Sequence, residues 1–510
     1  MRAEFSKLLI AALVSAVATQ ASAKVSADEA AKLGGELTPI GATKAANADG
    51  SIPAWTNGAM FPPDSRSLTP TDLEDARSQF EQMRANDPAP FNTLLGYVDS
   101  FSLEKYPEIS AQVDALIEKL PAKEKKLAKQ QRAEAGGAEK PYAIITKANM
   151  AEYAGKLTDG HKALLNKYDS YKMILYPSTR TAFFPQEIYD ATKKNAVNAS
   201  LEGTDKISGA VLGYPFPIPK SGAEVMWNHK LKFRGSAVTR YNNQAIVKPD
   251  GSYKISKLVE DVKFKYGSLT ERTDGNLDIF AYYLSEVVAP PRVAGQLTLV
   301  HEFAGTGVTR NAWIFNPGLG RVNRAPDVSF DTPYIGTDGE QFTDQVDMFN
   351  GSLERYNWKL LGVKEMYIPY NSYLINTPLI KYDDIIRAGH INQNLARYEL
   401  HRVWVVEATV VDGQRHQLKK RVFYIDEDSW SIAVVDGYDN RDQMWKVQEA
   451  QLITAPFVPT VTGVPEIIYD LQSSRYFVTA LVNEDKITDF KASFEDKMFT
   501  PAQLKRRSRK

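Results

Sequence analysis

Apolar and polar residues alternate most regularly from Arg397 to Gln451, in RYELHRVWVVEATVVDGQRHQLKKRVFYIDEDSWSIAVVDGYDNRDQMWKVQEAQ. Tyr398, Leu400, Trp404, Val406, Ala408 and Val410 share one face at period two, interrupted only by Arg402. Asp412-Gly413 then offers the pair a tight hairpin prefers, because glycine tolerates positive φ. Leu418, Val422 and Tyr424 resume the alternation. The acidic run Asp426 to Asp428 turns the chain, and Trp430, Ile432 and Val434 open a third strand. After Asp439-Asn440, Trp445 and Val447 begin a fourth. The pattern predicts a four-stranded antiparallel meander, with large aromatics on its faces and polar residues in its turns.

Further strands are predicted near residues 230–239, 259–266, 279–289, 296–303, 310–316, 364–369, 466–470 and 476–482. Their connections are short, with a helix near 343–350 interrupting them, and no strand–helix alternation marks a parallel sheet. The expected main domain, residues 171–485, is one antiparallel sheet, strongly curved or nearly closed. Helices are predicted over 70–85, 101–140, 147–167 and 185–199. Past 120 the second of these loses its apolar stripe in PAKEKKLAKQQRAEAGGAEK, as either a solvated helix end or a partner-binding arm would. LGYPFPIPKSG, residues 212–222, has three alternate prolines and must be extended, as a rim or as a connector. Residues 24–170 are then an extended and helical segment packing on the main domain. Residues 486–510 form a C-terminal basic tail ending in LKRRSRK, expected to be disordered.

The first residues read as an address. Arg2 and Lys7 precede an apolar run from Leu8 to Ala18, and Ala21-Ser22-Ala23 makes a small-residue cleavage site. The run is shorter than the roughly 20 apolar residues a bilayer span needs. A signal peptide over residues 1–23, cleaved near Ala23, places the mature chain in the periplasm. Cysteine is absent, which excludes disulfides, thiolate metal sites, a cysteine nucleophile and a lipidated cysteine anchor. Lysine plus arginine equal aspartate plus glutamate at 62 each, a balance that argues against nucleic acid as a partner.

Catalytic motifs are missing. The six histidines include no pair at i, i+2 or i, i+4, and Gly305 stands where a zinc-protease motif begun by His301-Glu302 needs its second histidine. No G-x-S-x-G elbow or phosphate loop occurs, and NPGLGR at 316–321 is a hairpin. Asn47-Ala48-Asp49-Gly50 is a turn, since Ala45 stands where a calcium loop needs oxygen. No cofactor or metal is expected, and an enzyme, a hydrolase built from scattered residues, ranks last. Binding candidates are the strand aromatics Trp313, Phe315, Trp404, Tyr424, Trp430 and Trp445, each of which packs a core or lines a cavity. Arg180, Arg310, Arg321 and Arg324 are candidates for holding the head group of an amphiphile, the alternative being surface charges paired with nearby acids.

RNAWIFNPGLGRVNRAPDVSFDTP (310–333), FNGSLERYNWKLLGVKEMYIPYN (349–371), the meander and LTPIGATKAANADGSIPAWTNG (37–58) resemble a family of uncharacterised secreted proteins of Gram-negative bacteria. That family is outer-membrane lipoprotein-sorting-like, within the LolA/LolB-like superfamily. The resemblance covers most of the mature chain, about residues 37–470. It implies a β-rich α+β fold: an incomplete antiparallel barrel with helices covering or plugging an apolar concave face. It also implies handling of a lipid-like hydrophobic molecule in the periplasm, with an inner-membrane transporter or an outer-membrane protein as partner. A non-enzymatic adaptor of an envelope complex is the other function class that this pattern admits.

Overall fold

A computed structural model describes residues 25–58 and 141–507, apart from 272–278, 305–309, 326–329, 335, 378–379 and 456–457, together with a few isolated positions between 85 and 129. The signal peptide, the helix at 70–85 and the helical arm at 101–140 lie outside the described residues.

Fifteen strands form one sheet. Two short strands enter first, β1 (Ala143–Ile145) and β2 (Met173–Tyr176), while β3 (Ser200–Glu202) and β4 (Lys206–Ser208) make a separate hairpin. The first long run is β5 (Ala237–Val247), β6 (Tyr253–Phe264), β7 (Ile279–Ala289), β8 (Leu297–Phe303), β9 (Arg310–Asn316) and β10 (Arg321–Arg324). The second is β11 (Tyr356–Pro369), β12 (Tyr398–Val410), β13 (Lys420–Asp426), β14 (Ile432–Tyr438), β15 (Met444–Ala455), β16 (Thr460–Asp470) and β17 (Tyr476–Leu481). Consecutive strands pair antiparallel within each run, and β17 joins the runs by pairing with β5. Among the described strand pairs, only the short β2–β12 contact is parallel. β10 and β11 each pair with one strand, so the curved sheet is an open, incomplete barrel, as the sequence predicts.

The meander forms β12 to β15, with two differences at its turns. Thr409 pairs with Lys420, so Asp412-Gly413 bends a longer loop and His416 lies off the strands. Trp430 closes the second turn instead of opening β14, at φ +57°, a backbone region bulky residues rarely occupy. Its surroundings impose that conformation. The ring is fully buried, its Nε1 donates to the Ile40 carbonyl at 3.0 Å, and it stacks on Trp404.

Among the described helices, α1 (Ala27–Ala30), α2 (Asp159–Lys167), α3 (Gln186–Asn198) and α4 (Gly222–Lys230) precede the long strands. The predicted helix over 147–167 divides at Leu157 into a 3-10 turn and α2, which Thr158 caps through the His161 amide. α4 replaces the start of the strand predicted from residue 230. All nine of its residues are buried, and it packs across β11 and β12. Burying Val225, Met226 and Trp227 there contributes about 1.5–3 kcal/mol each. The C-terminal segment is folded: α5 (Pro501–Arg507) buries Leu504, and Arg507 pairs with Asp261 at 2.7 Å and Glu286 at 3.2 Å. Residues 212–222 are a buried connector in which Tyr214 is fully enclosed.

Between β10 and β11 the chain leaves the sheet and crosses its inner face as a strap, described over residues 330–334 and 336–353. It is irregular except for a 3-10 turn at Thr343–Gln345, where a longer helix is predicted. Polar anchors hold it to distant strands. Asp344 meets Arg421 on β13, Gln345 donates to Gln448 on β15, and Asn350 donates to Glu302 on β8. With α4, this strap covers the sheet.

Candidate ligand-binding cavity

Strand alternation builds the floor of a cavity of about 350 Å³ between β5–β9 and the strap. Three rows of paired residues cross that floor. Glu260, Ser285, Thr298 and Ile314 make one; Val262, Tyr283, Val300 and Ala312 the next; Phe264, Ala281, Glu302 and Arg310 the third. Ala281, Ser285, Thr298 and Ala312 are small where a packed sheet face usually carries large side chains. Space is left because those side chains stop short of the strap, which roofs it with Tyr334, Val346 and Asp347. The volume is at the low end of the ~300–1,000 Å³ usual for small-molecule pockets.

Charge gathers at the cavity walls. Arg310 grips Glu302 at two points, Nη2 to Oε1 at 2.5 Å and Nε to Oε2 at 3.1 Å. Arg240 meets Glu260 at 2.9 Å, and Glu260 also accepts from Tyr283 at 2.6 Å and Asn242 at 3.1 Å. Asp347 accepts from Lys232 at 2.8 Å and Arg234 at 2.5 Å. Burial opposes ionisation of Asp347, but those two cations outweigh it and hold the carboxyl well below its usual range. Burial, then the Lys232 charge, lowers His229 to about 3. Burial, then the negative charge of Asp347, pushes Glu466 up to about 8.

The structure places the sequence candidates elsewhere, with one exception. Trp313 and Phe315 alternate with cavity-facing Ala312 and Ile314, so they point to the opposite face and pack near Leu299 and Phe499. Trp404 and Trp430 stack at 5.9 Å in the core. Tyr424 donates to Asp436 at 3.1 Å and Trp445 to Asp470 at 3.0 Å. None of these six aromatics lines the cavity. Arg321 and Arg324 are exposed on β10, and Arg180 is buried against Asp428. Arg310 alone of the four arginines reaches the cavity. Sequence reasoning passed over Glu260, Tyr283, Asp347 and Glu466. The readable signal was the run of small and polar residues at alternate positions of β7 and β8.

A second cluster joins His401, Asp426 and Asp428, whose candidate ligand atoms all lie within 4.8 Å of one another. Arg180 already occupies Asp428, donating from Nε and Nη2 at 2.7 Å each. His401 bonds Glu399 at 3.1 Å and stacks on Tyr370. Burial, then the Asp428 charge, raises Asp426 to about 6 and Glu427 to about 7. This is a buried ion-pair network whose cation is supplied by the protein itself. His416, on Asp344 at 2.9 Å, belongs to a separate group.

Comparison with known proteins gives matches of three kinds. The model of a family described as protein of unknown function (DUF1329) matches residues 144–505. An uncharacterized protein of Pseudomonas aeruginosa, PA3922, is 39% identical over 496 residues, 96% of each chain. Among solved structures, an outer membrane lipoprotein-sorting protein domain from Vibrio parahaemolyticus is 15% identical with a TM-score of 0.39, covering 56% of this chain and 98% of that one. A DUF1329 family protein from Desulfovibrio piger gives 15% and 0.36, covering 53% and 92%. A LolA superfamily protein from Nitrosomonas europaea gives 14% and 0.33, covering 55% and 98%. With a family match over most of its length and a relative aligned nearly end to end, the chain belongs to the DUF1329 family.

Proposed function

We propose that this protein is a periplasmic carrier that shelters one lipid-like hydrophobic molecule and passes it to a partner in the cell envelope. The observation that carries the reading is the cavity between β5–β9 and the strap, apolar along Val262, Val300, Ala312 and Ile314 and roofed by the half-buried Tyr334, Val346 and Asp347. Its size suits one chain or a small amphiphile and argues against cargo with several acyl chains. No described helix is long and apolar enough to cross a membrane. The leader-like first 23 residues support a periplasmic site of action.

Native mass spectrometry of protein taken from the periplasm tests the reading. A bound small molecule is expected, released on denaturation and reduced in Ala312→Leu, which fills the floor. Protein that holds nothing and takes up no apolar dye would defeat the carrier reading and leave the envelope adaptor.

A further inference from the structure

Among the described residues, every guanidinium of the cavity lining has an acidic partner. That lining, among the described residues, carries the guanidinium groups of Arg234, Arg240 and Arg310, and no lysine or histidine. Each guanidinium has a carboxylate: Arg234 with Asp347, which it shares with Lys232 behind the wall, Arg240 with Glu260, Arg310 with Glu302. Among the described lining residues one acid remains, Glu466, and burial with the neighbouring Asp347 charge holds it protonated at neutral pH. The other polar groups in the lining, Tyr283, Tyr334, Ser285 and Thr298 among them, are neutral hydrogen-bonders.

We infer that this cavity, as the carrier site proposed above, selects an uncharged amphiphile with an ester, ketone or hydroxyl head over one bearing a carboxylate, phosphate or ammonium. A charged head group gives up its hydration for a lining whose charged groups already have partners, and drawing one of those groups to itself detaches it from its partner. That leaves the abandoned group buried and uncompensated, and such a penalty acts against the wrong ligand. A neutral oxygen makes no such demand. The Nε atoms of Arg234 and Arg240 are buried donors with no hydrogen-bond partner among the described residues. A carbonyl or hydroxyl oxygen can accept from them while the terminal nitrogens keep their carboxylates.

The test uses the full chain, stripped of bound lipid on a hydrophobic resin and loaded with Nile red near neutral pH. Methyl laurate, laurate and lauroyl lysophosphatidylglycerol are then compared as displacers. Methyl laurate is expected to displace the dye at about tenfold lower concentration than either anion. Glu302→Gln, which takes the carboxylate from Arg310, is expected to turn the preference toward laurate. Glu260→Gln does the same for Arg240 and serves if the first variant fails to fold. Laurate matching the ester in the wild type, or an ester that displaces nothing, overturns the inference alone. A chain that takes up neither dye nor amphiphile removes the carrier reading with it.

Discussion

Asp344 and Arg421, 77 residues apart in the chain, meet at 2.6 Å where solvent does not reach. The guanidinium lies over the rings of Phe349 and Tyr356, and His416 Nε2 donates to the same carboxylate oxygen of Asp344 at 2.9 Å. Asp344→Asn strands a buried cation and is expected to cost about 3–5 kcal/mol in urea unfolding. Asp344→Leu combined with Arg421→Met is expected to recover part of that loss. A double variant as unstable as the single one would show that packing of the strap, rather than the lost partner, sets the cost.

Trp430 and Ala312 should separate stability from binding. Trp430→Ala empties a fully buried site and is expected to cost about 3–5 kcal/mol, with dye affinity of the folded fraction unchanged. Ala312→Leu extends into the cavity and is expected to lower affinity about tenfold while the unfolding midpoint moves little. Parallel losses in both variants would place the dye outside the cavity.

Glu466 gives stability a pH slope. Its carboxyl titrates at about 8 in the folded chain against 4.5 ordinarily. Between those values the folded chain keeps a proton that the unfolded chain has released, so rising pH favours unfolding. This contribution is whole below pH 4.5 and gone above 8. Glu466→Gln keeps the neutral form at every pH. It is expected to match wild type near pH 5 and exceed it near pH 8.5 by an amount on the order of a few kcal/mol. Urea midpoints across that range check the expectation, and parallel curves would refute it.

Phe499 stacks on Tyr282 with ring centroids 5.1 Å apart, covering the outer face of β7–β9 together with Leu504. Phe499→Ala is expected to cost about 3 kcal/mol. Ending the chain before Phe499 is expected to expose Leu299 and Phe315 and raise ANS fluorescence. Unchanged fluorescence would mean that the patch finds another cover.

Strands such as β8 were legible because successive side chains alternate between the two faces of the sheet, which writes period two into the sequence. β7 and β9 have the boundaries that the alternation implies. α4 was not legible, because GAEVMWNHK is enclosed on every side and has no polar face to reveal a period of 3.6. The cavity escaped for a related reason. Large aromatics such as Trp313 mark places that are filled, whereas a hollow is written in Ala281, Ser285 and Ala312, residues that draw no attention singly. Pairing register, absent from a linear reading, is what sets them side by side.

The strap leaves the sheet at one free edge, β10, and returns at the other, β11. It therefore acts as the string of a bow whose wood is the sheet. A fixed count of residues between the two tips sets how far the arc can straighten, and the anchors at Asp344, Asp347 and Asn350 take up the slack. The bore of the cavity is thus a matter of chain length as much as of side chains. Inserting residues into the strap slackens the string, and removing them draws the tips together.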